Sequence, residues 1–274
     1  MRIKQSLHKF VATAMVTALV APATMSTALA LPLLFFADLS PQQEIELGRQ
    51  AAAQVEREKP ILRDRGINNY VQSLGNKLAR NSGREIPFRF RVINERDANA
   101  FALPGGFIYV HRGIIELSRN ESELAGVLAH EIAHVSERHI VEQMRKAQGL
   151  GLGLGILDMI LGRSRNMGEQ IGALVANLTA QGVFMKFSRD AEREADREAV
   201  QILRRSGINP QGMVTLFQRM EALRRQNPGL VGGFFSSHPS LGERQENISG
   251  LLRSSDSRLR TNSSSFSQVR NRLT

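Results

Sequence analysis

The spacing of apolar positions changes period several times along the chain, and each change marks an element. Ser40-Pro41 has the form of an N-cap followed by proline at the first helical position, and QQEIELGRQAAAQVERE continues as a helix. A second helical pattern runs from about Asn68 to Arg80. The period then shortens to two: across Ile86–Ile93, Phe88, Phe90 and Val92 alternate with Arg89 and Arg91, as on a half-buried strand. The turn residues Pro104-Gly105-Gly106 precede a strand-like run, Phe107–Val110, so the two stretches predict a small antiparallel sheet. Helical spacing returns at Asn120, an N-cap with Glu123 three residues on, as in a capping box. Further helices are predicted over about Met167–Ser206 and Pro210–Arg225. The expectation is an α+β fold, mainly helical with a small antiparallel sheet.

Three segments fall outside that pattern. Arg2, Lys4 and Lys9 precede the apolar run Phe10–Ala21, and Ala28-Leu29-Ala30 resembles a cleavage site. Residues 1–30 therefore read as a secretory signal peptide, with an uncleaved anchor as the alternative and a mature chain starting near Leu31. Gly149–Gly162 is apolar and glycine-rich, broken by Asp158, and too short to span a bilayer. A buried connection fits it, and so does a flap that touches membrane or substrate. Residues 253–274 are rich in Ser and Arg and predict a loosely ordered tail, with room for one short helix near its finish.

Composition narrows the chemistry. The chain has no cysteine, which excludes disulfides and thiolate metal ligands, so any metal must be held by His, Asp or Glu. The net charge of +10 becomes +7 without the three basic residues of the leader. The excess is dispersed in Arg–Glu mixtures without dense basic blocks or aromatic interleaving, which argues against nucleic-acid binding and leaves attraction to an anionic membrane surface open.

The chemistry-bearing stretch is LAGVLAHEIAHVSERH, Leu124–His139. On a helix His130 and His134 leave one face a turn apart, and Glu131 is turned about 100° from His130. That spacing suits two ligands of one zinc ion with a carboxylate placed as general base. A solvated helix face with incidental histidines fits the five residues too, but Val127, Leu128, Ile132 and Val135 make the helix apolar, and buried histidines need partners. In SRDAEREADREAV, Glu192 and Asp196 again lie four apart: Glu192 can complete a His-His-Glu site, and Asp196 can hydrogen-bond the outer nitrogen of a zinc histidine. His139, nine residues from His130, falls on the opposite side of a continuous helix and drops out of the metal site. His111 has no evident partner, and His8 lies in the leader.

Four stretches in order, NAFALPGGFIYV, LAHEIAHVSERH, SRDAEREADREAV and HPSLGER, resemble the zinc metallopeptidases of family M48, the HtpX, BepA, Oma and CAAX prenyl protease group. The resemblance covers roughly Ser40–Leu252 and is nearest to the exported, periplasmic branch. It implies a zincin-like domain over 31–252 without a helical-repeat platform after it, one Zn2+ per chain on His130, His134 and Glu192, and Glu131 as base. It also implies that His238 sits on a loop over the site as a fourth, inhibitory ligand, and that Arg244 binds substrate or the developing oxyanion. Without the resemblance His238 would read as a surface-loop histidine. It further gives Gly105 and Gly106 a role in letting a peptide pair with the adjoining strand, although a plain turn explains them equally well.

The expected function is a periplasmic zinc endopeptidase acting on misfolded or stalled envelope polypeptides. The alternatives are an envelope chaperone with a mostly silent protease site and a peripheral membrane protein.

Overall fold

The computed structural model describes residues 39–149 and 186–273. The leader, most of Gly149–Gly162 and the start of the helix expected from Met167 lie outside those residues. Two N-terminal helices come first, α1 (Pro41–Glu58) and α2 (Arg65–Ala79). Ser40 and Gln43 form a complete capping box at α1, and Asp64 caps α2, starting it one turn earlier than its apolar pattern indicated.

The sheet is mixed, not antiparallel. β1 (Arg89–Ile93) pairs parallel with β3 (Phe107–His111), while β2 (Ala100–Leu103) pairs antiparallel with β3, giving the order β1-β3-β2. The alternation on β1 gives the right faces, Arg89 and Arg91 out and Phe90 and Val92 in, but alternation specifies faces and not strand direction. A 3-10 turn, Pro104–Gly106, returns the chain from β2 so that β3 inserts in the middle. Gly105 has φ 68°, and a Cβ there would lie 2.4 Å from Cα of Ile45, so this glycine lets the turn seat against α1.

The outer margin of β1 is already occupied. Gln72 of α2 accepts from the Phe90 N–H (3.0 Å) and donates to the Phe88 carbonyl (3.1 Å), and Asn68 accepts from the Val92 N–H (3.3 Å). The Leu62 N–H donates to the Val92 carbonyl (2.8 Å), and the Asn94 N–H to the Pro60 carbonyl (2.7 Å).

After a short helix, α3 (Arg112–Leu117), comes α4 (Glu121–Ser136), buried from Glu121 through Val135. Asn120 caps it by accepting from the Glu123 N–H. The expected capping box is only half formed, because the Glu123 carboxylate accepts from Arg119 N–H and pairs with Arg219 instead. Burial pushes the Glu123 carboxyl up, but Arg219, the Arg119 N–H and Thr215 hold it below its ordinary value. α4 packs on α6 (Arg189–Arg205) and α7 (Gln211–Gln226). α5 (His139–Gly149), α8 (Gly232–Ser237) and α9 (Leu241–Leu251) complete the surroundings. No helix among the described residues is long and apolar enough to cross a membrane.

The tail is a second correction. A 3-10 turn (Ser254–Arg258) and α10 (Ser264–Asn271) are packed, with Phe266 and Val269 buried. Phe266 meets Tyr70, Arg260 pairs with Glu121 at 2.6 Å, and the Thr261 carbonyl accepts from the Ser122 N–H at 2.9 Å. The C-terminal helix packs on α2 through Phe266, while Arg260 and Thr261 meet the first turn of α4, contacts that composition alone does not reveal.

Candidate metal centre

α4 and α6 bring the site together. On α4 the spacing of four sets His130 and His134 on one face with Glu131 beside them. α6 is rich in Arg and Glu, yet Glu192, Ala195, Asp196, Ala199, Val200 and Leu203 form a buried stripe turned to α4. Ser188 caps α6 by accepting from Ala191 N–H, which fixes where its first turn begins and hence where Glu192 points. His238 follows α8, and Arg244 lies in α9.

Donor atoms of His130, His134, Glu192 and His238 lie within 4.8 Å of one another, and all four residues are buried. Nε2 of His130 is 3.0 Å from Nε2 of His134 and 3.2 Å from Nδ1 of His238. Glu192 Oε1 is 3.0 Å from His238 Nδ1 and 3.5 Å from His134 Nε2, while Glu192 Oε2 is 3.4 Å from His130 Nε2. Bonds of about 2.0–2.1 Å at tetrahedral angles set donors roughly 3.3 Å apart, so three nitrogens and a carboxylate at these separations fit a zinc ion. Converging imidazole lone pairs repel one another without a proton or cation between them, and burial magnifies that cost.

The surroundings support the donors. Nδ1 of His130 is 3.1 Å from Oδ1 of Asp196, the outer contact expected from the four-residue spacing. Asp196 in turn receives Nε and Nη2 of Arg244 at 2.8 and 2.6 Å, and Arg244 Nη1 lies 2.8 Å from Glu192. Arg244 is 2% exposed and stacks over Phe217 at 4.6 Å. The sequence resemblance pointed Arg244 at substrate, whereas here its guanidinium is held between two carboxylates. Burial and the Arg244 charge push the His130 imidazole down, but Asp196 and Glu192 outweigh them and raise it to about 9. Burial pushes the His134 imidazole well below its ordinary value. Burial raises Glu192, yet Arg244 and His238 bring it well below the carboxylate range.

Both carboxylate oxygens of Glu131 are buried without a hydrogen-bond partner, and Oε1 lies 3.4 Å from Nε2 of His238. A buried carboxylate is costly to leave without hydrogen bonds, and His238 is the group that approaches Glu131 here.

Two residues were missed from sequence. Phe187 stacks on His134 with centroids 3.7 Å apart, and its N–H donates to the Ser237 carbonyl (3.2 Å), tying the start of α6 to the His238 loop. One continuous helix would turn His139 away from the site. α4 instead stops at Ser136, Arg138 takes φ 58°, and His139 turns back to place Nδ1 3.0 Å from Nδ1 of His134. His111, without an evident partner in the sequence, meets Asp97 at 2.7 Å.

The family model described as Peptidase family M48 matches residues 67–252. The chain is 34% identical over 227 residues to the "Beta-barrel assembly-enhancing protease" of Escherichia coli strain K12, covering 80% of this chain and 46% of that protein. It is 30% identical over 184 residues to the "Mitochondrial metalloendopeptidase OMA1" of Schizosaccharomyces pombe, covering 67% and 52%. Against the Escherichia coli "Metalloprotease YcaL" it is 29% identical over 175 residues, covering 63% and 66%. The chain thus spans under half the length of the beta-barrel assembly-enhancing proteases it matches.

Proposed function

The chain belongs to peptidase family M48, and on that premise we propose that it is a zinc-dependent metalloendopeptidase of the bacterial envelope, cleaving misfolded or stalled envelope proteins in the periplasm. The observation that carries the activity is the convergence of His130, His134 and Glu192 beside a buried Glu131 carboxylate that has no hydrogen-bond partner. The envelope assignment rests on the leader-like sequence of residues 1–30 and on relatives named for β-barrel assembly.

His130, His134 and Glu192 would hold the zinc, which when bound supplies Lewis-acid activation of water and polarisation of a peptide carbonyl. Glu131 takes the proton of the attacking water and returns it to the leaving amine. Asp196 orients His130, and Arg244 neutralises Asp196 and Glu192, so the donor set keeps its geometry as charge changes at Glu131. His238 would be the inhibitory fourth ligand: Nδ1 lies with the donor cluster while Nε2 approaches Glu131, so one ring would occupy a metal position and shield the base.

Zinc content and casein hydrolysis of the wild type and Glu131→Gln test the reading. Bound zinc near one per chain in both, with hydrolysis lost by about 10²-fold or more only in the variant, supports it. Equal hydrolysis by both proteins, or no zinc in either, rejects it.

The enclosed His238 also favours a second reading, an envelope chaperone whose protease stays mostly silent. Binding of unfolded envelope protein by Glu131→Gln, undiminished while hydrolysis is lost, is the result that reading requires.

A further inference from the structure

Resting on the zinc-site reading above, we propose that His139 is a positioning residue of the metal centre, the middle of a relay Glu194–His139–His134 that fixes which nitrogen His134 offers to the cation.

The contact between His134 and His139 is nitrogen to nitrogen: Nδ1 to Nδ1 at 3.0 Å, with ring centroids 5.1 Å apart and planes at 69°. Such a contact holds only when one nitrogen carries a hydrogen and the other a lone pair. Nε2 of His134 faces His130 and Glu192 in the donor cluster, and a nitrogen that binds a cation must present its lone pair. A neutral His134 therefore carries its hydrogen on Nδ1 and donates it to His139 Nδ1. His139, accepting there, carries its own hydrogen on Nε2, and that nitrogen lies 3.3 Å from Oε2 of Glu194. Each step leaves one tautomer, and the chain of donors ends on a carboxylate.

The two histidines of α4 are thus supported differently. His130 meets a buried carboxylate directly, Asp196, itself saturated by Arg244. His134 meets a neutral imidazole, and the carboxylate behind it, Glu194, is about half exposed. The backbone was bent to make this contact. On an uninterrupted helix position 139 would point away from the site, and only the left-handed Arg138 turns it inward. A non-glycine residue in that region is strained, and its surroundings must hold it there. Arg138 is held by its Nη2 donating to the Leu39 carbonyl (2.9 Å) and its Nε lying 3.3 Å from Glu44.

Zinc affinity, measured by competition with a chromophoric chelator, tests the relay without reference to turnover. His139→Leu keeps volume but strands the His134 Nδ1–H, and zinc binding should weaken roughly 10–100-fold with an unchanged far-UV circular dichroism spectrum. His139→Asn places an amide oxygen near the former Nδ1 and should recover most of that loss. The d–d bands of the cobalt-substituted protein should shift in His139→Leu and return in His139→Asn. Equal affinity in wild type and His139→Leu, or equal losses in the Leu and Asn variants, overturns the proposal. If His139→Leu does not fold, Glu194→Ala decides the matter, because its side chain is half exposed. It should weaken zinc several-fold in the wild type and not at all beside His139→Leu or His139→Asn, and unchanged affinity in the wild-type background rejects the relay. A wild type that binds no zinc sinks the zinc-site reading itself, which is a different failure.

Discussion

Nε2 of His238 lies 3.4 Å from Oε1 of Glu131, while Nδ1 of the same ring lies 3.0 Å from Oε1 of Glu192. One imidazole therefore bridges the proposed base and a proposed metal ligand. Removing it should release the enzyme: His238→Ala is expected to raise casein hydrolysis about tenfold or more, as when an open arrangement is a minor state. Zinc content should stay near that of the wild type, since three donors remain. A fall in hydrolysis with zinc intact would assign His238 to turnover and remove the inhibitory role.

Arg244 supplies a different handle, because it neutralises two buried carboxylates at once. Arg244→Met should lower unfolding stability by about 3–5 kcal/mol in denaturant, the cost of stranding buried charges. Zinc should restore part of the loss, since the cation replaces the missing positive charge beside Glu192. Arg244→Lys should rescue poorly, as an ammonium cannot reproduce the two-pronged contact with Asp196. Full stability of Arg244→Lys would show that charge alone matters there.

The C-terminal segment is predicted to be part of the cooperative unit. Phe266 is buried against Tyr70, so Phe266→Ala should cost about 3–5 kcal/mol and lower the melting temperature of the whole domain in one transition. A separate, low-temperature transition confined to the C-terminal helix would contradict this.

Asp256 gives a pH signature away from the metal site. Its two hydrogen bonds from Arg204, at 2.9 and 2.8 Å, hold its carboxyl below the ordinary aspartate value. A carboxyl lowered on folding stabilises above its unfolded pKa, and the benefit disappears as pH falls through the folded value. The stability gap between wild type and Asp256→Asn should therefore be full near pH 6 and close once the pH falls below the folded Asp256 pKa. Taking the difference cancels the acid response of the histidine cluster. A gap independent of pH would show that the Arg204 contact is not electrostatic.

How far the sequence carried depended on which physical signal each feature leaves. The Ser40 and Asn120 caps and the faces of β1 were legible, because they rest on local chemistry or on fixed spacing, whereas helical spacing offered Asp196 to a histidine of α4 without naming His130. Strand direction was not, since an alternating pattern reads the same beside a parallel or an antiparallel neighbour. The contact of His139 with His134 was hidden by Arg138: nothing in an arginine announces a left-handed backbone, so a helix ending at Ser136 looked continuous through His139. The anchoring of the C-terminal segment was hidden as well, because nothing in Phe266 or Arg260 names the distant Tyr70 and Glu121 that receive them.

The side chains of Asn68 and Gln72 along β1 have a consequence for the protein in concentrated solution. A strand arriving from a second molecule finds the ladder groups on that flank already bonded, so sheet-to-sheet growth there must wait until α2 lifts away. Turbidity on heating should accordingly begin with the loss of α2 and not before it, which makes the fit of two amide side chains a guard against aggregation of the folded protein.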